Sequence, residues 1–252
     1  MDELIVERSG KVVSVILDHP PSNALTLPLY RRLLEVFRDI GAGDASCAVL
    51  TGRGDAFCTG VDLTELIALS AEEDPKRSMI VRETFRTIRF CAVPVIAAVN
   101  GPALGSGAML AAVADIRIAA DNASFGMPEI DIGRCGGGSH LGRYLSPGLL
   151  RRMCFTGEPI DAATALGKGF VDEVVPPADL LPAAYHLAET IASKSPVGLR
   201  MIKEALNQVE FLPVEEGFEL EQQYSTQLMH TDDAREAARA RQQNRPPVFR
   251  GR

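Results

Sequence analysis

"PVIAAVNGPALGSGAMLAAVADIRIAA", residues 94–120 of a 252-residue chain, decides the fold. Val95 to Val99 is a short apolar run without charge, which reads as a buried strand. Asn100-Gly101-Pro102 marks a turn, and Gly105-Ser106-Gly107 a tight loop. Ala108 to Ala114 begins a buried helix, and Ile116 to Ala120 is the next strand. Strand, loop, helix and strand in one short span place the chain among α/β proteins. The same region imitates a membrane span, because Cys91 to Ala114 holds no charge and is long enough to cross a bilayer. Its prolines, Asn100 and glycines would leave backbone groups unpaired in lipid, so no membrane span is expected.

Outward from this stretch the pattern repeats loosely. "ELIVER" (3–8) and "KVVSVIL" (11–17) are strands of a hairpin turning at Ser9-Gly10. Thr26 is placed to cap a helix with Pro28 in its first turn, and Leu29, Leu33, Leu34 and Phe37 mark its apolar face. "CAVLTG" (47–52) is a strand, "RGDAFCTGVD" (53–62) a glycine-punctuated loop, and "LTELIALS" (63–70) a short helix. "DPKRSMIVRETFRTIRFC" (74–91) is an amphipathic helix, and "ASFGMPE" (123–129) a strand. "GRCGGGSHLGRYL" (133–145) is a loop running into a helix. From residue 147 on helices dominate, and "VEEGFELEQQYSTQLMHTDDAREAARARQQN" (214–244) reads as one of them. The expected division is an α/β body over residues 1–195 and a helical region over 196–252. The latter is too small to hold a large core of its own and is expected to pack on the body or on a partner subunit.

Composition narrows the function. The chain is 46% hydrophobic and 23% charged, as soluble globular proteins are, with a formal net charge of −7. Lys and Arg are scattered, with no basic block to neutralise phosphates, so a nucleic-acid partner is not expected. Five cysteines at irregular spacing read as buried or half-buried free thiols in a reducing compartment. No C-x-x-C occurs and no His pairs with Cys at ligand spacing, so no metal site is expected. The sequence carries no signal peptide, and the terminal "FRGR" is not a peroxisomal signal, which makes the cytoplasm the expected location.

Three stretches could carry chemistry. "FCTGVDL" (57–63) and "ALGSGAM" (103–109) each set a glycine turn between a strand and a helix. Unpaired N–H groups and the helix dipole make such a turn favourable to negative charge. Two N–H groups converging on one oxygen would make an oxyanion hole. In "FGMPEIDIG" (125–133), Glu129 lies among apolar residues, where a carboxyl group should be harder to ionise and suited to proton transfer. A dinucleotide-binding turn at Gly105 fails, since the third glycine would fall on Leu110. A hydrolase elbow fails too, because neither Ser106 nor Ser139 sits in G-x-S-x-G.

Together these stretches resemble the enoyl-CoA hydratase/isomerase, or crotonase, superfamily over nearly the whole chain. "HPPSNALT" (19–26) looks like the family's early CoA-side loop and "LTGRGDAFCTGVDLTEL" (50–66) like its first oxyanion-hole segment. Residues 94–120 look like the second such segment, and "ASFGMPEIDIG" like the acid/base segment. "FTGEPIDAATALGKGFVDEVVP" (155–176) and the closing "RPPVFRGR" resemble family stretches as well. The resemblance implies a spiral of ββα units with a helical C-terminal trimerisation region, and a homotrimer or dimer of trimers. It implies an acyl-CoA substrate, with CoA arriving as part of the thioester and no separate cofactor. It gives the backbone N–H groups of Val61 and Ser106 the oxyanion-hole role and Glu129 the acid/base role. It places Asn23, Ala24, Thr59, Val61, Asp62, Leu63, Thr64, Gly105, Met109 and Gly137 at the substrate. Arg and Lys of the C-terminal helices are its candidates for the CoA phosphates.

The second catalytic glutamate of the hydratases falls on Met109, which cannot move a proton. Losing one positioned acid or base should cost hydration about 10²–10⁴. Moving a double bond from C3–C4 to C2–C3 needs only one base, so the expectation leans to isomerisation. Hydration, C–C chemistry on an enolate, and acyl-CoA binding without turnover are the alternatives. Asp131 would share the face of Glu129 if that stretch were a strand, but reads first as a surface or turn carboxylate. His140 reads as a helix-start histidine bonded to backbone, and Asp62 as a helix cap. Ser106 replaces a glycine common in the family, and the segment 133–145 departs from its usual proline-glycine stretch.

Overall fold

The computed structural model describes residues 3–252. Strands β1 (Leu4–Ser9), β2 (Val12–Leu17), β3 (Cys47–Gly52), β4 (Val95–Val99), β6 (Ile116–Ala120) and β9 (Glu173–Val175) form one sheet in that order. β1 and β2 are an antiparallel hairpin, with Gly10 at φ +58°, and every later pairing is parallel. A small second sheet joins β5 (Ala103–Leu104), β7 (Ser124–Gly126) and β8 (Ile160–Asp161). The helices are α1 (Leu27–Ala42), α2 (Leu63–Ala68), α3 (Asp74–Arg89), α4 (Ser106–Val113), α5 (Gly138–Leu141) and α6 (Pro147–Thr156). They continue with α7 (Ala162–Gly167), α8 (Leu180–Ala192), α9 (Pro196–Val209), α10 (Val214–Met229) and α11 (Asp232–Gln242).

The inner strands β2, β3, β4 and β6 are buried on both faces, which explains their largely apolar runs. Along β3, Ala48 and Leu50 join the larger core with α1 and α4, while Cys47 and Val49 point the other way onto α8. Along β4, Val95, Ala97 and Val99 take the first side, Ile96 and Ala98 the second. This period of two is the strand geometry itself. α1 begins as its sequence requires: Thr26 accepts from Leu29 N–H, and Leu29, Leu33 and Phe37 are buried. No helix among the described residues is long and apolar enough to cross a membrane.

Four expectations are corrected. The strand expected over 123–129 ends at Gly126, because Pro128 has no N–H for a ladder and instead opens a 3-10 turn, Pro128–Ile132. The stretch 214–244 is two helices, broken at His230, with Thr231 capping α11 by accepting from Ala234 N–H. β9 lies in a region read as helical; three residues are too few to show a period. Cys135 is exposed, whereas Cys47, Cys58 and Cys91 are buried and Cys154 is partly so.

The C-terminal helices are fastened to the body through α9. Lys203 is buried, and its Nζ donates to Val93 C=O at 2.9 Å and to Asp115 Oδ2 at 2.7 Å. Asp115 also accepts from Val95 N–H, so one carboxylate holds the entry to β4 and the helix above it. Asp115→Ala leaves a buried ammonium without its counter-charge and should lower the unfolding free energy by about 3–5 kcal/mol. Lys203→Met removes the charge itself and should cost only about 1–2 kcal/mol, chiefly for the orphaned carbonyl. Urea unfolding of the two variants checks this order.

Candidate active site

Three backbone segments meet beneath a cavity of about 800 Å³. The loop after β3 is braced by Cys58 N–H donating to Pro102 C=O, and by Leu104 N–H donating to Cys58 C=O. The loop before α1 joins through Thr59 N–H to Ser22 C=O. Gly105 N–H donates to Gly126 C=O, which ties in β7 and the turn that carries Glu129. Gly107 has to be glycine here, since a Cβ would run into the carbonyl of Cys58. Gly105 has φ +53° and ψ −117°, a conformation open to glycine and strained for other residues.

This bracing leaves the N–H groups of Val61 and Ser106 without an acceptor among the described residues. Leu25 and Val61 form a parallel bridge whose hydrogen bonds use Gly60 C=O and Asp62 N–H. Backbone alternation turns Val61 N–H to the other side, where it has no acceptor among the described residues. Ser106 is the first residue of α4, so its N–H has no partner one turn back. A Cβ on Gly60 would stand 3.9 Å from Ser106 N, so the two loops face one another closely. Ser106 Oγ accepts from the buried Tyr30 hydroxyl at 2.6 Å. Burial pushes that phenol well above its ordinary range.

Glu129 stands beside these groups. Its Oε1 lies 2.7 Å from where a Cβ on Gly105 would be, and its Oε2 is buried with no hydrogen-bond partner. Burial raises its carboxyl above the usual carboxylate range, partly offset by its own backbone N–H. Three further carboxylates line the cavity. Asp62 caps α2, accepting from Glu65 N–H at 2.8 Å. Asp74 pairs with Arg134 at 2.9 Å. Asp131 is exposed and lies against Gly157. Because its stretch is a 3-10 turn and not a strand, Asp131 does not share the face of Glu129.

Ala24, Thr59, Val61, Asp62, Leu63, Thr64, Gly105, Ser106, Met109, Glu129 and Gly137 all line the cavity. Asn23 does not. It is buried at φ +57°, accepts from His19 N–H and donates to Arg53 and Ala56 C=O, so it holds the loop from behind. Met109 packs its sulfur against Gly137 and forms apolar wall. His140 is corrected as well: its ring lies 5.9 Å from the Phe85 ring and faces the cavity. Burial first, then Arg89 and Arg143, lower its pKa and favour the neutral imidazole. The basic residues in the wall are Arg77, Arg82 and Arg134, with none from α9, α10 or α11.

Sequence reasoning missed the contribution of α3. Arg77, Val81 and Phe85 lie one turn apart on the face that meets the cavity. The signal was present: position 77 continues the apolar stripe of positions 81, 85 and 88, and a charge on such a stripe asks for a partner. No cluster of three or more His, Cys, Asp or Glu suited to a metal ion occurs among the described residues.

The sequence model of the family described as enoyl-CoA hydratase/isomerase matches residues 7–252. A short-chain-enoyl-CoA hydratase of Clostridium acetobutylicum is 32% identical, the alignment covering 95% of this chain and 94% of that protein. A 2,3-dehydroadipyl-CoA hydratase of Escherichia coli is 36% identical with both chains covered completely. The crystal structure of an enoyl-CoA hydratase from Bacillus anthracis superposes with a TM-score of 0.95 at 32% identity, again over the full length of both.

The geometry makes Gly105 a test of the site. Gly105→Ala forces a strained backbone and pushes against the Glu129 carboxylate. It should cost about 1–3 kcal/mol of stability by thermal unfolding, with Glu129 displaced in the crystal structure of the variant.

Proposed function

The chain belongs to the enoyl-CoA hydratase/isomerase family, and on that premise we propose that it isomerises the double bond of an enoyl-CoA with Glu129 as its single acid/base. The thioester oxygen of the substrate accepts from Val61 N–H and Ser106 N–H. Glu129 removes a C2 proton from a 3-enoyl thioester, and the electron pair passes onto the thioester oxygen as a dienolate. The N–H pair is worth most there, because the oxygen carries its charge only once the proton has left. Glu129 then returns the proton at C4, leaving the 2-enoyl isomer. CoA enters and leaves as part of the thioester, and the proton transfers ask for no other cofactor.

One observation carries the reading: a half-buried carboxyl with an unpartnered oxygen, set over Gly105 and next to two free N–H groups. A group kept at that desolvation cost suits proton transfer near neutral pH. Met109, an apolar side chain where the second acid of a hydratase would stand, supports isomerisation over hydration. The printed names of the relatives favour hydration, which is the second reading. The cavity's other carboxylates are capping, paired or turned to solvent, so none supports it as a replacement acid. The apolar residues exposed on α9 and α10, among them Ile202, Leu206, Val214 and Phe218, support a trimeric assembly that would cover them.

Paired substrates test the reading. A 3-enoyl-CoA should turn over well above the hydration rate of its 2-enoyl isomer, and Glu129→Gln should lower that turnover by about 10²–10⁴. Met109→Glu should raise hydration by at least about tenfold. Efficient hydration by the unaltered enzyme would overturn the isomerase reading in favour of the second. The base works ionised, so kcat/KM should fall as pH drops through the Glu129 pKa. Since burial raises that pKa, the acid limb should lie above the ordinary carboxylate range.

A further inference from the structure

Arg77 is the one charged side chain in the cavity wall that is almost wholly buried, at 8% exposure. Its Nε and Nη2 are buried without any hydrogen-bond partner. No carboxylate pairs with it among the described residues: Asp74, one turn earlier on α3, is held by Arg134. The guanidinium carbon lies 5.6 Å from the centroid of the Tyr30 ring, a contact that attracts the charge. A buried cation with two unpartnered nitrogens is a standing cost, which folding alone gives no reason to keep.

The position of Arg77 says what would relieve it. Tyr30 packs against Arg77 by its ring and holds Ser106 by its hydroxyl. Arg77 is thus one side chain away from the N–H that takes the thioester oxygen. In a thioester held at that N–H, the CoA phosphates would lie the length of the pantetheine arm away. Met109 and Gly137, which also line the cavity, offer no charge of their own. A planar fork of donors matches a carboxylate as well as a phosphate, and at the acyl end of a thioester a carboxylate is the group the substrate can carry.

Resting on the acyl-CoA reading above, we propose that Arg77 binds a carboxylate carried by the acyl group, so that the preferred substrates are mono-CoA thioesters of dicarboxylic acids. Arg77 is here a specificity residue and takes no part in proton transfer.

Calorimetric titration tests the proposal with succinyl-, glutaryl- and adipyl-CoA against butyryl-, pentanoyl- and hexanoyl-CoA, and with free CoA. At least one carboxylated ligand should bind about tenfold or more tightly than its methyl-ended match. Arg77→Met, which keeps the volume of the side chain, should abolish that preference and leave the methyl-ended series and free CoA within twofold. Arg77→Lys should restore part of it. Equal affinity for the two series in the unaltered protein, or a preference that survives Arg77→Met, would overturn the proposal while leaving the acyl-CoA reading intact. An equal loss of affinity for free CoA in Arg77→Met would assign the residue to a CoA phosphate and overturn it too. No binding of either series would overturn both readings together.

Discussion

Everything at the site depends on how closely two loops approach. The loop after β3 and the turn into α4 touch through Gly60, Gly105 and Gly107, and at Gly107 no side-chain atom fits against the carbonyl of Cys58. Because the backbones meet there, their hydrogen bonds are used between loops on one side and left open on the other. The open side carries Val61 N–H and Ser106 N–H. Rigid parallel strands, β3 and β4, deliver both loops from neighbouring positions in the sheet, so the approach is built into the topology. Catalytic groups placed by a buried sheet need little reorganisation when charge develops on the substrate.

The site is also where the protein tolerates poor satisfaction of its polar groups. Three of the five side-chain atoms buried without partners among the described residues are there, Glu129 Oε2 and two nitrogens of Arg77, the others being Ser46 Oγ and Arg89 Nε. Asn23 uses both ends of its amide, and Lys203 has both a carbonyl and a carboxylate. Unpartnered groups on one side and bonded ones on the other mark which residues face a ligand and which hold the frame. On this view Glu129 and Arg77 divide the work: one moves a proton, the other selects the acyl group whose proton is moved.

Much of this was legible in the sequence, for physical reasons that can be named. Strands buried on both faces leave runs such as Val95–Val99. Local caps leave Thr26 and Asp62 next to the helices they start, and glycines mark the turns. The place of Glu129 came from resemblance, and its raised pKa from apolar neighbours that sequence alone displays. What escaped depends on distant contacts. Pro128 ends β7 through a ladder it cannot join. β9 is three residues long and exists because β6 offers an edge. Asn23 looked like a ligand group because nothing nearby in sequence shows Arg53 and Ala56 behind it. Arg77 escaped because the cavity that makes its burial unusual is assembled from other elements.

The central claim is that Glu129 forms an enolate held by two backbone N–H groups, and proton exchange at C2 measures it without any net reaction. Butyryl-CoA has C2 protons but no double bond to move or hydrate. Incubated with the enzyme in D₂O and followed by NMR, it should exchange those protons for deuterium. Glu129→Gln should slow that exchange by about 10²–10⁴. Exchange undiminished in Glu129→Gln, or absent from the unaltered enzyme with butyryl-CoA bound, would contradict the account.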